Sequence, residues 1–459
     1  MAVSSPSVPW QRPLRASYFT NRQTELAQLL ASLQPGQIKT LCGPGGIGKT
    51  ALATEAVWQP EIETRFPDGV IFHSFYNQPQ AALALESIAL AYGEEPRPSP
   101  ETAARRVLTG RSTLLFLDGT EAADNLSTVL NVAGSCGVLI TSRSRKDAVA
   151  ERQDMKPLVI DEAVKLLQAW GGSQDGDEAA MRSICDMVGG LPLAVRLVGR
   201  YLNETSETAA EYLEWLKDTP IEALSHGEHK EDSINLLLTR SLEQVGTAGE
   251  ILTVVGQLAF APFGLEPVAA AMHLTVKELR QPLGQLVNYG LLSRLDDRYE
   301  VTHALIHTYA RKRLVSEAEV KRLVVYFTEL VRTESEKGPD GYHRLAAERV
   351  HIMRVLAGCE KQEDWELVQN LVWALSGEPS FLRMQGYWID LVMVIETGLT
   401  AAQKLSNRQG EGAHLGNLGN AYSDLGQVEK AIEYYQQALT ISREIGHRQG
   451  EGNHLGNLG

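Results

Sequence analysis

The sequence predicts a multidomain chain of the α/β plus α class: a parallel α/β sheet domain, a helical domain, a winged-helix domain and then an α-helical solenoid. Three observations carry this expectation. The glycine-rich stretch Gly43-Pro-Gly-Gly-Ile-Gly-Lys-Thr50 stands between an apolar strand pattern and a helical one. Short apolar runs then alternate with helical patterns as far as residue 160, which indicates a parallel sheet. Near the C-terminus, Arg408-Gln-Gly-Glu-Gly…His-Leu-Gly-Asn-Leu-Gly419 returns 40 residues later with only Ala413 changed, to Asn453.

Length and composition set the bounds. A chain of 459 residues is too long for one ordinary core and calls for about three or four domains. Its formal net charge of −14 argues against a protein built to coat nucleic acid. Cys42, Cys136, Cys185 and Cys359 are scattered without metal spacing, so they read as small core residues of a reducing compartment. No apolar stretch has the length to span a bilayer; Ile251 to Leu265 is broken by Gly256, Gln257 and Pro262. The first residues lack the pattern of a signal peptide. These features predict a cytoplasmic protein with no membrane partner.

Taken in order, residues 1–17 read as an extended lead-in, and Leu26, Leu29, Leu30 and Leu33 mark a first helix. Gln37–Cys42 is a strand entering the glycine-rich loop, and Thr50–Val57 is a helix leaving it. Gly69–Phe75 is a buried strand; helices follow over 80–92 and 101–109. Thr113–Asp118 and Gly137–Arg143 are apolar strands that end in polar residues, and Lys156–Ile160 is expected as another, with Asp161 as the N-cap of the next helix. A helical domain should occupy 161–230, with Pro192 at a helix's first turn. Helices near 233–244, 247–259, 265–272 and 276–289, then two short strands around Asp296-Asp297, form a winged-helix pattern over 231–315. The nucleotide-binding α/β domain is therefore expected over 18–160, a helical linker over 316–385 and repeats over 386–459, the last of them truncated.

Gly43–Thr50 fits G-x-x-x-x-G-K-[ST], the loop whose backbone N–H groups wrap nucleotide phosphates. Glycines let consecutive N–H groups point inward, Lys49 supplies a compact cation for the β- and γ-phosphates, and the Thr50 hydroxyl suits Mg²⁺. Ligands of such sheets bind at the carboxyl ends of the strands, where Asp118 and Arg143 fall. ATP or ADP with Mg²⁺ is thus the expected cofactor. The helix near 276–289 would be the DNA reader of a winged helix, but Leu279, Leu283, Leu286 and Val287 outnumber Lys277 and Arg280, so it reads as a packing surface.

Together these residues resemble the signal-transduction ATPases with numerous domains (STAND), specifically the NB-ARC or AP-ATPase branch, over about residues 18–315; the tail resembles tetratricopeptide repeats. Phe19-Thr-Asn-Arg22 resembles the segment that flanks the adenine, with Asn21 where the family usually has glycine. Leu114–Asp118 is similar to the Mg²⁺-site strand, Ile140–Arg143 to the strand whose Arg reads the γ-phosphate, and Gly190-Leu-Pro-Leu-Ala194 to the motif whose proline packs by the adenine and ribose. Val301–His307 resembles the motif whose first histidine, here His303, reaches the β-phosphate of ADP in the closed state. The resemblance implies a cofactor-binding set of Arg22, Gly43, Pro44, Gly45, Gly46, Ile47, Gly48, Lys49, Thr50, Ala51, Arg143, Pro192 and His303. The implied catalytic set is Lys49, Asp118, Glu121 and Arg143, and the metal set is Thr50 and Asp118.

Two departures bear on activity. Gly119 stands where a second acidic residue usually follows Asp118, leaving Glu121 or Asp124 to reach in, so hydrolysis is expected to be slow. Ala304 stands where an Asp usually follows the histidine. The resulting expectation is a switch that rests as an ADP-bound monomer and opens and oligomerises on ATP exchange, when the repeats sense a protein or peptide. Two other readings stay open: a transcription regulator whose DNA-binding part lies outside this chain, and a repeat scaffold with a degenerate ATPase. Direct DNA binding by the chain itself is not expected.

Overall fold

A computed structural model of the chain describes residues 8–15, 19, 22–144, 151–171, 177–218 and 230–459. It divides into two compact units. One comprises residues 1–81, 108–256 and 275–314; the other comprises 82–107, 257–274 and 315–459.

The first unit is built on a five-stranded parallel sheet of order β2-β3-β4-β1-β5. Its strands are β1 (Ile38–Cys42), β2 (Val70–Ser74), β3 (Leu114–Asp118), β4 (Gly137–Ser142) and β5 (Glu151–Asp154). The first four are apolar because the sheet interior is covered on both faces, and β3 and β4 are buried along their whole length. Connections leaving β1 and β4 run in opposite directions along the sheet, which opens the crevice that ligands use. Residues 8–15 run beside β2: Trp10 bridges Val70, and Gln11 and Pro9 bond to its backbone.

Helices α1 (Gln23–Ser32), α2 (Lys49–Val57), α3 (Pro60–Arg65) and α6 (Leu126–Leu130) belong to this unit, while α4 (Ala81–Ala91) and α5 (Pro100–Leu108) fall almost wholly in the other. Then come α7 (Ile160–Gly171), α8 (Glu178–Met187), α9 (Pro192–Glu204) and α10 (Ala209–Asp218). Pro192 occupies the first turn of α9, where its missing N–H costs nothing. α11 (Lys230–Val245), α12 (Ala248–Val255) and α14 (Val276–Asn288) precede a hairpin of β6 (Leu292–Leu295) and β7 (Arg298–Val301), and α15 (Ala304–Lys312) closes the unit. Asp296 turns the hairpin in the left-handed region, at φ 51°. Between α12 and α14 in the chain lies α13 (Leu265–Met272), which falls in the second unit.

One strand was expected in the wrong place. Lys156–Ile160 is not a strand; the fifth strand is the polar Glu151–Asp154, which pairs with β1. Leu158 instead donates its backbone N–H to the Gly190 carbonyl at 3.0 Å. Asp161 is not an N-cap either, because α7 begins at Ile160 and the Asp161 carboxylate pairs with Arg182 at 2.7 Å.

The second unit is helical. α13 packs on α16 (Glu317–Ser335), which meets α17 (Pro339–Lys361) and α18 (Trp365–Ser376). After the short α19 (Phe381–Met384), the helices α20 (Trp388–Lys404), α21 (Arg408–Asp424), α22 (Val428–Glu444) and α23 (Arg448–Leu458) pack each on the next. α20 and α22 begin 40 residues apart, as do α21 and α23, so the sequence period is a structural one. Among the described residues no helix is long and apolar enough to cross a membrane. All four cysteines are buried thiols.

Candidate functional site

Strands β1, β2, β3 and β4 end level with one another: Ser74 lies opposite Asp118, Asp118 opposite Thr141, and Cys42 opposite Ser142. This edge collects buried polar residues, Ser74, Asp118, Thr141 and Ser142, at the ends of apolar strands. From Cys42 the backbone enters Gly43–Gly48, where Gly46 and Gly48 take φ of 77° and 96°. A Cβ would strain those positions, and Gly48 is itself the left-handed N-cap of α2. Pro44, Gly45 and Ile47 complete the loop, and Lys49, Thr50 and Ala51 form the first turn of α2, whose positive end faces the loop.

The Lys49 ammonium folds back over the loop and donates to the Gly43 and Pro44 carbonyls at 2.8 and 3.0 Å. Burial lowers its pKa to about 8, against the opposing pull of Glu121 and Asp118. Thr50 and Thr141 both donate hydroxyls to Oδ1 of Asp118, each at 2.6 Å. Burial raises the pKa of Asp118, while those two hydroxyls and Lys49 oppose the rise. The Thr50 hydroxyl and the Asp118 carboxylate are a hard-oxygen pair that fits Mg²⁺. Among the described residues no three His, Cys, Asp or Glu side chains form a metal cage, so such an ion would complete its shell with phosphate oxygens.

Gly119, following Asp118, is left-handed at φ 71°, and a Cβ on it would come within 2.5 Å of the Tyr76 ring. The ring's hydroxyl donates to Glu121 at 2.6 Å. Glu121 also accepts the Arg143 backbone N–H at 3.0 Å and lies 3.3 Å from Nε of Arg143. Arg143 in turn sits over the Tyr76 ring, 5.4 Å from its centroid. Glu121 is thereby held beside Arg143. Asp124 is engaged elsewhere, capping α4 through the Ala81 N–H at 2.8 Å.

Arg22 is buried and braces the loop from behind. One guanidinium nitrogen donates at 3.0 Å to both the Ile47 and Lys156 carbonyls, and another meets Glu25 at 3.3 Å. Asn21, and the basic pair Arg145 and Lys146, lie outside the described residues.

Two later segments reach the same loop. Leu193 of α9 donates its N–H to the Gly46 carbonyl at 3.2 Å, and the Pro192 ring stands 4.0 Å from where a Cβ of Gly48 would be. From the other segment, Leu305 of α15 lies so close to Gly45 that a Cβ there would be 2.8 Å from it. His303 is the N-cap of α15, its Nδ1 accepting the Leu305 N–H at 3.0 Å. The neutral ring therefore carries its proton on Nε2. Burial, then Arg196, Arg143 and Lys49, push its pKa well below the usual imidazole range, so it stays neutral. The residues expected from sequence are gathered here around one loop. Tyr76 and Arg196 join them without a local motif to announce them, and Thr141, within the Ile140–Arg143 stretch, joins through its bond to Asp118.

Comparison with known proteins adds the kinship. The family model described as the NB-ARC domain matches residues 20–176, and the tetratricopeptide repeat model matches 414–444. A Mycobacterium tuberculosis protein named as an HTH-type transcriptional regulator is 26% identical over 349 residues, covering 69% of this chain and 38% of that protein. A disease resistance protein of Arabidopsis thaliana is 28% identical over 218 residues, covering 45% of this chain and 25% of that one. The chain thus spans well under half the length of these curated relatives. Among solved structures, the signal transduction ATPase with numerous domains and a tetratricopeptide repeat sensor from Pyrococcus horikoshii aligns with TM-score 0.47 and 16% identity, over 98% of this chain and 81% of that chain. The chain carries an NB-ARC domain of the P-loop NTPase class, joined to a C-terminal tetratricopeptide repeat.

Proposed function

We propose that the chain is a nucleotide-operated signal switch, holding ADP at rest and opening when ATP replaces it. The observation that carries this reading is the seat of α15: its cap His303 lies among Lys49, Arg143 and Arg196, and its Leu305 rests on Gly45. An enzyme tuned for turnover has no need of a distant helix closing on its phosphate loop; a sensor does. In this reading Lys49 and the loop N–H groups bind the phosphates, and Thr50 and Asp118 hold Mg²⁺. Pro192 and Arg22 flank the base side, and His303 donates from Nε2 to the β-phosphate. The γ-phosphate of ATP meets Arg143 and favours the open state by the difference in affinity between the two states.

Hydrolysis resets the switch slowly, because Glu121, the nearest candidate base, is tied to Tyr76 and Arg143. The repeats take a protein or peptide trigger, and the ATP form assembles with copies of itself. The test is the nucleotide released on denaturing the purified protein, followed by light scattering after ATP exchange. Retained ADP, lost in Lys49→Ala, and a mass increase with ATP support the switch. A protein that binds neither ADP nor ATP refutes it.

The mycobacterial relatives named as HTH-type transcriptional regulators favour a second reading, in which the same switch governs a DNA-binding part outside this chain. Leu279, Leu283 and Leu286 of α14 are buried, so that helix has its apolar side committed to packing. In the second reading this chain alone shows no salt-dependent binding to duplex DNA, whereas a longer chain does.

A further inference from the structure

Several buried or half-buried arginines among the described residues meet an anion or an aromatic face. Arg240 lies against both oxygens of Glu207, Arg349 pairs with Asp390 at 2.6 Å, Arg22 has Glu25, and Arg200 stacks over Trp170. Arg196, half-buried beside the phosphate loop, meets neither among the described residues. Its one side-chain hydrogen bond among the described residues goes to a neutral oxygen, Oγ1 of Thr302, at 2.8 Å. Its Nε is buried without a hydrogen-bond partner, as are those of Arg200 and Arg240. Burial first, and then the cation Arg200, lower its pKa to about 10. A charge partly withdrawn from water without a counter-ion is destabilising.

Position explains why such a cation is kept. Arg196 lies one turn beyond Pro192 on α9, so the two side chains share a face. Pro192 stands at Gly48 and Leu193 at Gly46, which turns that face to the phosphate loop. Thr302, its present partner, immediately precedes His303 and donates to the Gly290 carbonyl at 2.7 Å. Arg196, Arg143 and Lys49 all bear on the His303 ring, so three cations from three segments converge on one neutral donor. Two of them already have oxygen partners of their own: Arg143 has Glu121, and Lys49 has loop carbonyls.

We propose that Arg196 is a phosphate-binding residue that contacts the terminal phosphate of a bound nucleoside diphosphate while holding Thr302, joining α9 to the His303 turn. The diphosphate is the missing counter-ion, and the closed arrangement is complete only with it. This rests on the reading that the loop holds a nucleotide.

The test compares full-length wild type with Arg196→Met and Arg196→Lys, each stripped of nucleotide. Affinities for ADP and AMP are measured by calorimetry, and melting temperatures with and without ADP. Arg196→Met should weaken ADP by about tenfold or more and AMP by less than about twofold, because only ADP brings the second phosphate. Stripped Arg196→Met should melt at or above wild type, since an uncompensated cation has gone, while its ADP-induced shift shrinks. Arg196→Lys should retain part of the ADP preference, and decides the matter should the Met variant not fold. Equal weakening of ADP and AMP, unchanged ADP affinity, or a stripped variant melting well below wild type would each reduce Arg196 to a brace for Thr302 and overturn the proposal. Should wild type itself fail to bind ADP, the nucleotide reading falls first; should wild type bind and both variants match it, only the role of Arg196 falls.

Discussion

Gly119 is the sharpest place to test the geometry of the site, because two separate penalties act on one added carbon. The substitution is Gly119→Ala. At φ 71° and ψ 41° the residue is left-handed, which costs an L-residue about 1–2 kcal/mol. Its new Cβ would also lie 2.5–2.7 Å from three atoms of the Tyr76 ring. Tyr76 cannot simply swing away, since its hydroxyl is bonded to Glu121 and its face to Arg143. Overpacking of this kind costs about 1–3 kcal/mol. A combined loss of about 3 kcal/mol lowers Tm by about 6–12 °C at the usual 2–4 °C per kcal/mol for larger domains. Calorimetry on wild type, Gly119→Ala, Tyr76→Ala and the double variant separates the terms. On the Tyr76→Ala background only the backbone term remains, so the coupling between the sites should be about 1–3 kcal/mol. An equal cost of Gly119→Ala on both backgrounds, or a single variant melting within about 1 °C of wild type, refutes the argument. The result also bears on chemistry, since an acidic residue at 119 could not enter without displacing the ring that holds Glu121.

Other expectations follow from single contacts. Removing the guanidinium in Arg22→Ala leaves the Ile47 and Lys156 carbonyls without their donor, and at about 1–3 kcal/mol for each orphaned group the denaturant midpoint should fall clearly, with faster loss of bound nucleotide. His303→Ala loses the cap on the Leu305 N–H, worth about 0.5–2 kcal/mol, whereas His303→Asn keeps a capping oxygen. Stability should therefore separate the two variants, while ADP dissociation should quicken in both. Lys49, with its pKa lowered to about 8 by burial, is largely neutral at pH 9 in the ligand-free protein. Phosphate favours the charged form, so proton uptake on ADP binding should grow as pH rises from about 7.5 through 9, as read by calorimetry in buffers of different ionisation enthalpy. The same depressed pKa makes this group's contribution to ligand-free stability rise, not fall, between about pH 8 and the unfolded value.

Much of this was legible in the sequence where side chains carry the signal. The apolar runs of β1 to β4, the loop ending in Lys49-Thr50, Pro192 at a helix start and the 40-residue period all follow from residue types and spacing. β5 was not legible, because Glu151–Asp154 is an exposed edge strand held by its backbone to β1, and hydrophobic patterning is silent about backbone pairing. The apolar Lys156–Ile160 misled for the converse reason: its pattern is shared by a loop that bonds to the Gly190 turn. The roles of Tyr76, Thr141 and Arg196 escaped because each residue gains its place from a partner distant in the chain: Glu121, Asp118 and Thr302. Arg22 was singled out by its motif, but its two carbonyl partners could be seen only in three dimensions.

The charge pattern around the loop bears on how a ligand could move α15. Asp118 is satisfied by two hydroxyls, and Glu121 by Tyr76 and Arg143. Lys49 and Arg196, by contrast, rest on neutral oxygens, two loop carbonyls and a threonine hydroxyl. A phosphate is a stronger partner than either, because both members of the pair are then charged. On the proposed reading, Lys49 leaves the Gly43 and Pro44 carbonyls when it takes phosphate, and the loop must adjust around Gly45. Leu305 of α15 is in close contact at that residue, with no room for even one more carbon. Close-packed contacts of this kind transmit a displacement of a few tenths of an ångström, because the neighbour has no slack to absorb it. Coupling between nucleotide and α15 then needs no long relay: the carbonyls that hold Lys49 before phosphate arrives and the residue on which Leu305 sits are consecutive, Gly43 to Gly45.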